Sequence, residues 1–392
     1  MYSDSKKRFS TIEALKKFTP ATLAEFFRRF PDYLASRGVR IPTTIGEDDL
    51  DYDQLVPLCM EPGPDTPTAF QTALFFVNAM GTERRRQELE AEAKYRKVAV
   101  KTPPDCTDHD YALQVWLQHP DLLEQAFARA AMLEKRRFAY YVVPEDEIPN
   151  FKLPKEAERK AAEKDINLWF AGKDCGPGSK LIVYPGDPET WFLIRHGDKP
   201  RRAPCVDKDG RGFSFFFRPE KYDVVIFNHR YGELKINAND AYHESYRFKF
   251  GDLLFGKAYI FAKRNLFTLD PLRTNAASSI AWGAVPGIKS IRLTMVKYEL
   301  PGAHGITFTK KSKDLFADAL RDSPVIPAKA LFVREAHFSV KFDDDSPPRS
   351  VWIKEGNVAC YSSDSDSSAL ELWMRDRGFI RKSAEGKHAA AA

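Results

Sequence analysis

The sequence predicts an α+β protein: a helical N-terminal region, then an antiparallel-hairpin α+β region with strand-strand-helix units. Three observations carry this. Apolar residues recur at helical spacing as far as Leu133. From about Leu181 the period shortens, and short runs rich in β-branched and aromatic residues alternate. Helices then return between groups of strands, which argues for hairpins covered on one face by helices. The expected division is 1–143 helical, 144–164 a linker or connecting helix, 165–382 α+β, and 383–392 a disordered tail.

The N-terminal segment MYSDSKKRFSTIEALKKF reads as charges followed by an amphipathic helix. Thr19-Pro20 is an N-cap with proline at the first helical position, where its missing N–H costs nothing. Leu23, Phe26, Phe27 and Phe30 follow at helical spacing, Pro31 interrupts, and Gly38 is placed to stop the next turn. Thr66-Pro67 repeats the start signal before Phe70, Ala73, Leu74 and Val77. Thr107 with Asp110 forms a capping box, with Asp in place of the usual Glu, ahead of Leu113, Trp116 and Leu117. His119-Pro120 breaks that helix, and Asp121 starts another. Stretches 40–66 and 101–108 read as polar, Pro-rich connections, and 144–157 as the way out of the helical region.

The later strands are LIVY, TWFLIRH, FSFFF, YDVVIF, ELKINA, AYIFA, KSIRLTMVKYEL, ITFT, ALFVREAHFSVKF and SVWIK. They group into three loose units of strand, turn, strand and helix. The first joins 222–227 and 233–237 to a helix at 240–250, the second 291–300 and 306–309 to 314–320, and the third 332–342 and 351–354 to 367–377. Ser365 or Ser367 can cap the last helix, and Gly378 can end it.

Composition narrows the function classes. The 392 residues are 43% hydrophobic and 29% charged, which excludes a disordered chain. Five Cys without a Cys-x-x-Cys pair exclude a disulfide scaffold, a zinc ribbon and a redox motif of that type. With no apolar signal core and no stretch near the ~18 residues needed to span a bilayer, the expectation is a cytoplasmic protein without membrane contact. The formal charge of +5 is a difference between unlike parts. Residues 1–165 hold 25 basic and 28 acidic side chains, and the remainder 35 and 27. The basic excess of the second part permits nucleic-acid contact. The aromatic load is high, with Phe 29, Tyr 15 and Trp 6.

Four constellations could carry chemistry. Asp223 with Glu233-Leu234-Lys235 resembles PD-(D/E)xK nucleases, in which two acids bind a divalent metal and the Lys steadies the attacking water. That resemblance implies catalytic Asp223, Glu233 and Lys235 with Mg²⁺ or Mn²⁺. A hairpin through 228–232 works against it: it sets Asp223 near Asn237 and the two carboxylates ~13 Å apart. Arg195-His196-Gly197 resembles the strand-to-loop motif of histidine phosphatases, which implies a nucleophilic His196, a phosphate-binding Arg195 and His304 as second histidine. The Gly-rich run 172–180 lacks the Gly-Lys-Ser/Thr ending of a phosphate loop and reads as a turn. The cluster Asp108, His109 and Asp110 reads as helix capping rather than metal ligation.

A fifth constellation binds rather than reacts. Arg195, Lys199, Arg201, Arg202, Lys208, Arg211 and Arg218 lie within 24 residues, interleaved with Phe213, Phe215, Phe216 and Phe217. A basic loop leading to an aromatic strand can grip phosphates and stack bases. Strand alternation puts Phe213, Phe215 and Phe217 on one face, expected in the core, and leaves Phe216 as the stacking residue. The reading reached is a non-catalytic cytosolic binding protein without cofactor, its partner DNA, RNA or another protein. For a bacterial source, an accessory role in phage defence or DNA maintenance fits. The metal-dependent nuclease is the first alternative and the phosphatase the second.

Overall fold

The computed structural model describes residues 7–381 except 45, 47–48, 62, 64, 207–209, 303–304, 320–323, 345 and 363–366. Lys208, His304, Ser365 and the tail 383–392 therefore lie outside the described residues. The chain forms two compact units, Met1–Ala130 and Ala131–Ala392. Among the described residues no helix is long and apolar enough to cross a membrane.

The first unit is helical: α1 (Ile12–Leu15), α2 (Pro20–Phe27), α3 (Pro31–Ser36), α4 (Tyr52–Met60), α5 (Thr68–Met80), α6 (Glu83–Tyr95) and α7 (Asp108–Gln118); α8 (Pro120–Leu133) runs on into the second unit. The caps read from the sequence hold in part: Thr19 flanks α2 without a side-chain bond to a helix N–H, and α5 begins at Thr68 with Pro67, not Thr66, in the capping position. Pro31 restarts the chain as α3, and Gly38, at φ +70°, lies just beyond its end. Thr107 and Asp110 exchange both bonds of a capping box. Thr107→Ala is expected to lower stability by about 1 kcal/mol, measured as a fall in urea midpoint at unchanged slope. His109 lies in the first turn of α7, where it meets Arg8 and the Phe18 ring. Burial and the neighbouring Arg8 push its imidazole down to about 4, so the neutral ring accepts from the Arg8 guanidinium at 2.7 Å.

Much of the aromatic load is core here. Phe26 stacks on Phe70 at 5.4 Å and meets Trp116 edge-on at 5.4 Å, while Phe30 packs against both. Helix α4 falls inside the stretch 40–66 that reads as a connection. It is short, Pro57 interrupts its period, and it holds through the Asp51 cap and buried Leu55 and Leu58.

The second unit holds β1 (Arg137–Val142), α9 (Glu156–Ala171), β2 (Lys180–Tyr184), β3 (Glu189–Gly197), β4 (Arg201–Val206), β5 (Gly212–Phe217), β6 (Glu220–Asn228), β7 (Glu233–Asn237), α10 (His243–Phe255), α11 (Asp270–Thr274), β8 (Ile288–Leu300), β9 (Ile306–Lys311), β10 (Phe332–Phe342), β11 (Arg349–Lys354), β12 (Val358–Cys360) and α12 (Ser367–Asp376). Ten strands form one sheet, in the order β2-β3-β6-β7-β1-β12-β11-β10-β8-β9. Every neighbouring pair in it is antiparallel. Strands β4 and β5 form a separate two-stranded ribbon. The architecture is α+β.

Three local expectations change. Residues 137–142 read as part of the helical region, yet they form β1, the central strand that joins β7 to β12. Its run Phe138–Val142 is buried on both faces and so lacks the alternation that marks a strand. The helix expected at 314–320 is a turn over its described residues, because the Asp314 carboxylate accepts from the backbone N–H groups of Phe316 and Ala317 and competes with helical bonding. AYIFA is no strand; Ala262 makes a lone bridge to Val142.

Helices also cover both faces, not one. Ile166 and Phe170 of α9, with Tyr246, Phe250 and Leu254 of α10, pack on Phe192, Val225, Phe227, Leu234 and Ile236. The intervening residues of β7, Glu233 and Lys235, point the other way and meet Arg375 and Glu371 of α12.

Candidate nucleic-acid interface

The β4–β5 ribbon brings together most of the basic and aromatic residues singled out in the sequence. Arg201 pairs with Phe217, Arg202 with Phe216, Ala203 with Phe215 and Cys205 with Phe213. Directly paired residues share a face, so Arg201, Phe213, Phe215 and Phe217 line one side of the ribbon, and Arg202 and Phe216 the other. The expectation that the first row of rings belongs to the core is overturned. Phe215 is 59% exposed and Phe216 72%, and Phe213 and Phe217 are exposed as well. The reason is topological: a two-stranded ribbon outside the main sheet has no third layer against which to bury a face.

Local sequence holds the ribbon in place. Asp198 accepts from Lys199 N–H at 2.9 Å and from Arg201 at 2.8 Å, its backbone N–H donates to Pro219 O at 2.7 Å, and Lys221 lies 3.8 Å away. Together these tie the start of β4 to the end of β5. The Asp198 carboxyl is lowered, chiefly by the Lys199 N–H and against a smaller effect of burial. Arg202 donates to Ser214 Oγ at 2.7 Å across the strands. Arg218 lies over Gly176, and its Nε donates to Asp174 O at 3.3 Å. Lys199, Arg201, Arg202, Arg211 and Arg218 are all exposed. Arg195 stands apart on β3, half-buried and 3.5 Å from Glu220. Exposed Lys221, three residues beyond the run that ends at Arg218, belongs to the group by position.

The nuclease residues are not brought together. Val224 pairs with Asn237, so Asp223 and Glu233 lie at opposite ends of the β6–β7 hairpin. They also face opposite ways. Asp223 accepts from Tyr246 of α10 at 2.7 Å, whereas Glu233 accepts from Arg375 of α12 at 2.5 Å. Two carboxylates on opposite sheet faces cannot share a metal ion. Among the described residues, no group of three or more His, Cys, Asp or Glu could hold one. Lys235 is committed elsewhere, to Glu371 at 2.5 Å and Glu189 at 2.7 Å.

The phosphatase pair is likewise divided by alternation, with Arg195 and His196 on opposite faces of β3. His196 is buried and stacks on Phe170 at 3.9 Å. Its Nδ1 lies 2.7 Å from Gly197 O and its Nε2 3.1 Å from Asp223 Oδ2. The ring is enclosed, with both nitrogens facing protein oxygens, so it presents no nucleophile to a substrate in solvent. The Gly-rich turn is a turn: the N–H groups of Gly178 and Ser179 both donate to Asn167 Oδ1.

The fold and its exposed chemistry thus define an α+β protein that carries a basic, aromatic ribbon beside a large antiparallel sheet. No protein-family model matches the chain, and no curated protein is significantly similar to it.

Proposed function

We propose that this is a non-catalytic cytosolic protein that binds single-stranded nucleic acid through the β4–β5 ribbon. The observation that carries this reading is the exposure of four phenylalanines on a ribbon that also presents Arg201, Arg202 and Arg211. Same-face residues of a strand stand about 6.8 Å apart, so Phe213, Phe215 and Phe217 form a row of rings with Arg201 at its end. The rings of Phe215 and Phe217 are 6.2 Å apart. Flat π-faces beside guanidinium groups suit unpaired bases and their phosphates. A duplex hides its base faces, so single strands are preferred.

Fluorescence anisotropy with a 20-nucleotide dT strand, the matching RNA and a duplex tests this. The single strands are expected to bind at low salt and to weaken as salt rises. Phe215→Ala, in the middle of the row, should weaken binding about 5- to 150-fold, the loss of ~1–3 kcal/mol per stacked base. Reversing charge at Arg201, Arg202 and Arg211 should reduce the slope of log K against log salt by about 2. Absence of single-strand binding at low salt, or duplex binding as tight as single-strand binding, overturns the proposal. Retention of full affinity by a Phe213/Phe215/Phe217→Ser variant does so too.

A further inference from the structure

A cavity of about 370 Å³ opens where the end of β1, the β6–β7 turn and α12 meet. Arg230, Arg264, Arg375 and Arg381 line it, against Glu145 and Glu233. Two of the arginines are already committed. Arg381 pairs with Glu355 at 2.8 Å, and Arg375 pairs with Glu233 at 2.5 Å while lying over the Tyr231 ring at 3.5 Å. Arg230 and Arg264 pair with no carboxylate among the described residues. A concave site with an excess of guanidinium groups concentrates anions.

A second, independent observation lies in the same lining. Glu233 is 2% exposed, and its Oε2, like Arg375 Nε, has no hydrogen-bond partner among the described residues. Buried polar atoms without partners are rare and costly, and they mark places where a further polar group is accommodated. Val142, Ile148 and Leu266 supply an apolar wall. The turn is built for close approach: a Cβ on Gly232, at φ +62°, would stand 2.7 Å from both Ile148 and Val143.

We propose that this cavity binds a small phosphate monoester, with its phosphate held by Arg230 and Arg264 and its body against the apolar wall. Guanidinium forks match pairs of phosphate oxygens, and the cavity volume falls in the range of small-molecule sites. A hydrogen-bonding group on the body of the ligand meets the Glu233–Arg375 pair. This site is separate from the ribbon and independent of the nucleic-acid reading.

Isothermal titration of the full chain with ribose 5-phosphate and with AMP tests it, with ribose and adenosine as phosphate-free counterparts. The phosphate esters are expected to bind one per chain and at least tenfold more tightly than their counterparts. Arg230→Gln and Arg264→Gln should each weaken them at least tenfold without lowering the melting temperature of the free protein, because neither side chain supports an ion pair. Arg202→Gln on the ribbon should leave this binding unchanged. The proposal is overturned if neither ester binds saturably up to millimolar concentration, or if ribose binds as well as ribose 5-phosphate. It is equally overturned if the Arg230/Arg264 double variant binds as well as wild type.

Discussion

Lys235→Ala is expected to destabilise the second unit by about 3–5 kcal/mol, because it leaves two carboxylates facing an unfilled partner position. Lys235 is 4% exposed, and its ammonium donates to Glu371 at 2.5 Å and Glu189 at 2.7 Å. Burial works to lower its pKa, but Glu371, Tyr140 and Glu189 together raise it well above the ordinary value, so it stays charged. Glu371 is the reciprocal case. Burial alone would raise its carboxyl; Lys235, Tyr361 and Arg375 overcome this and hold it below the ordinary 4.5.

The sign of the pH dependence follows. A depressed carboxyl contributes stability that is present above the unfolded value of 4.5 and is lost as pH falls through the folded one. Without Lys235, burial acts on Glu371 with less opposition, so the variant suffers most at neutral pH, where Glu371 is ionised. The gap to wild type should therefore shrink on acidification, as read by urea unfolding at a series of pH values. Lys235→Met with Glu371→Gln keeps an acceptor for the Tyr361 hydroxyl and should recover part of the loss. A neutral-pH loss under 1 kcal/mol for Lys235→Ala, or a gap that grows in acid, would contradict this account.

Trp373→Ala is expected to cost about 3–5 kcal/mol. The indole is fully buried, packs on Phe379 at 5.1 Å and edge-on to Phe338 at 5.5 Å, and donates to Ala281 O at 3.1 Å. Removal creates a cavity and strands the Ala281 carbonyl. It also loosens α12, which carries Glu371 and Arg375 to the sheet. Trp373→Ala and Lys235→Ala should therefore combine non-additively, with a coupling of about 0.5–3 kcal/mol in a double-mutant cycle. Simple additivity would show that α12 keeps its place without the indole.

The helical region was legible where its signals were local. Thr107 with Asp110, Pro31 and Gly38 act through backbone groups a few residues away, so their spacing alone locates the helix ends. The hairpins β6–β7 and β10–β11 were legible from alternation across a short turn. Central strand β1 was not. A strand buried on both faces is uniformly apolar, and only its partners β7 and β12, distant in sequence, make it a strand.

The candidate sites divide in the same way. Sequence alone determined the chemistry available: a dense run of arginines among phenylalanines, and the acids and lysine of 223–235. It also determined the parity of each strand, which already separates Arg195 from His196. Tertiary structure decided which faces are covered. It left the row Phe213, Phe215 and Phe217 in solvent, where alternation alone suggested core, because whether an apolar face is buried depends on a third layer that no local pattern encodes. It placed α12 opposite α10, so that Asp223 and Glu233 serve different faces, and it gathered Arg230, Arg264, Arg375 and Arg381 around one cavity. Periodicity is a property of neighbours along the chain, whereas burial and charge pairing belong to neighbours in space.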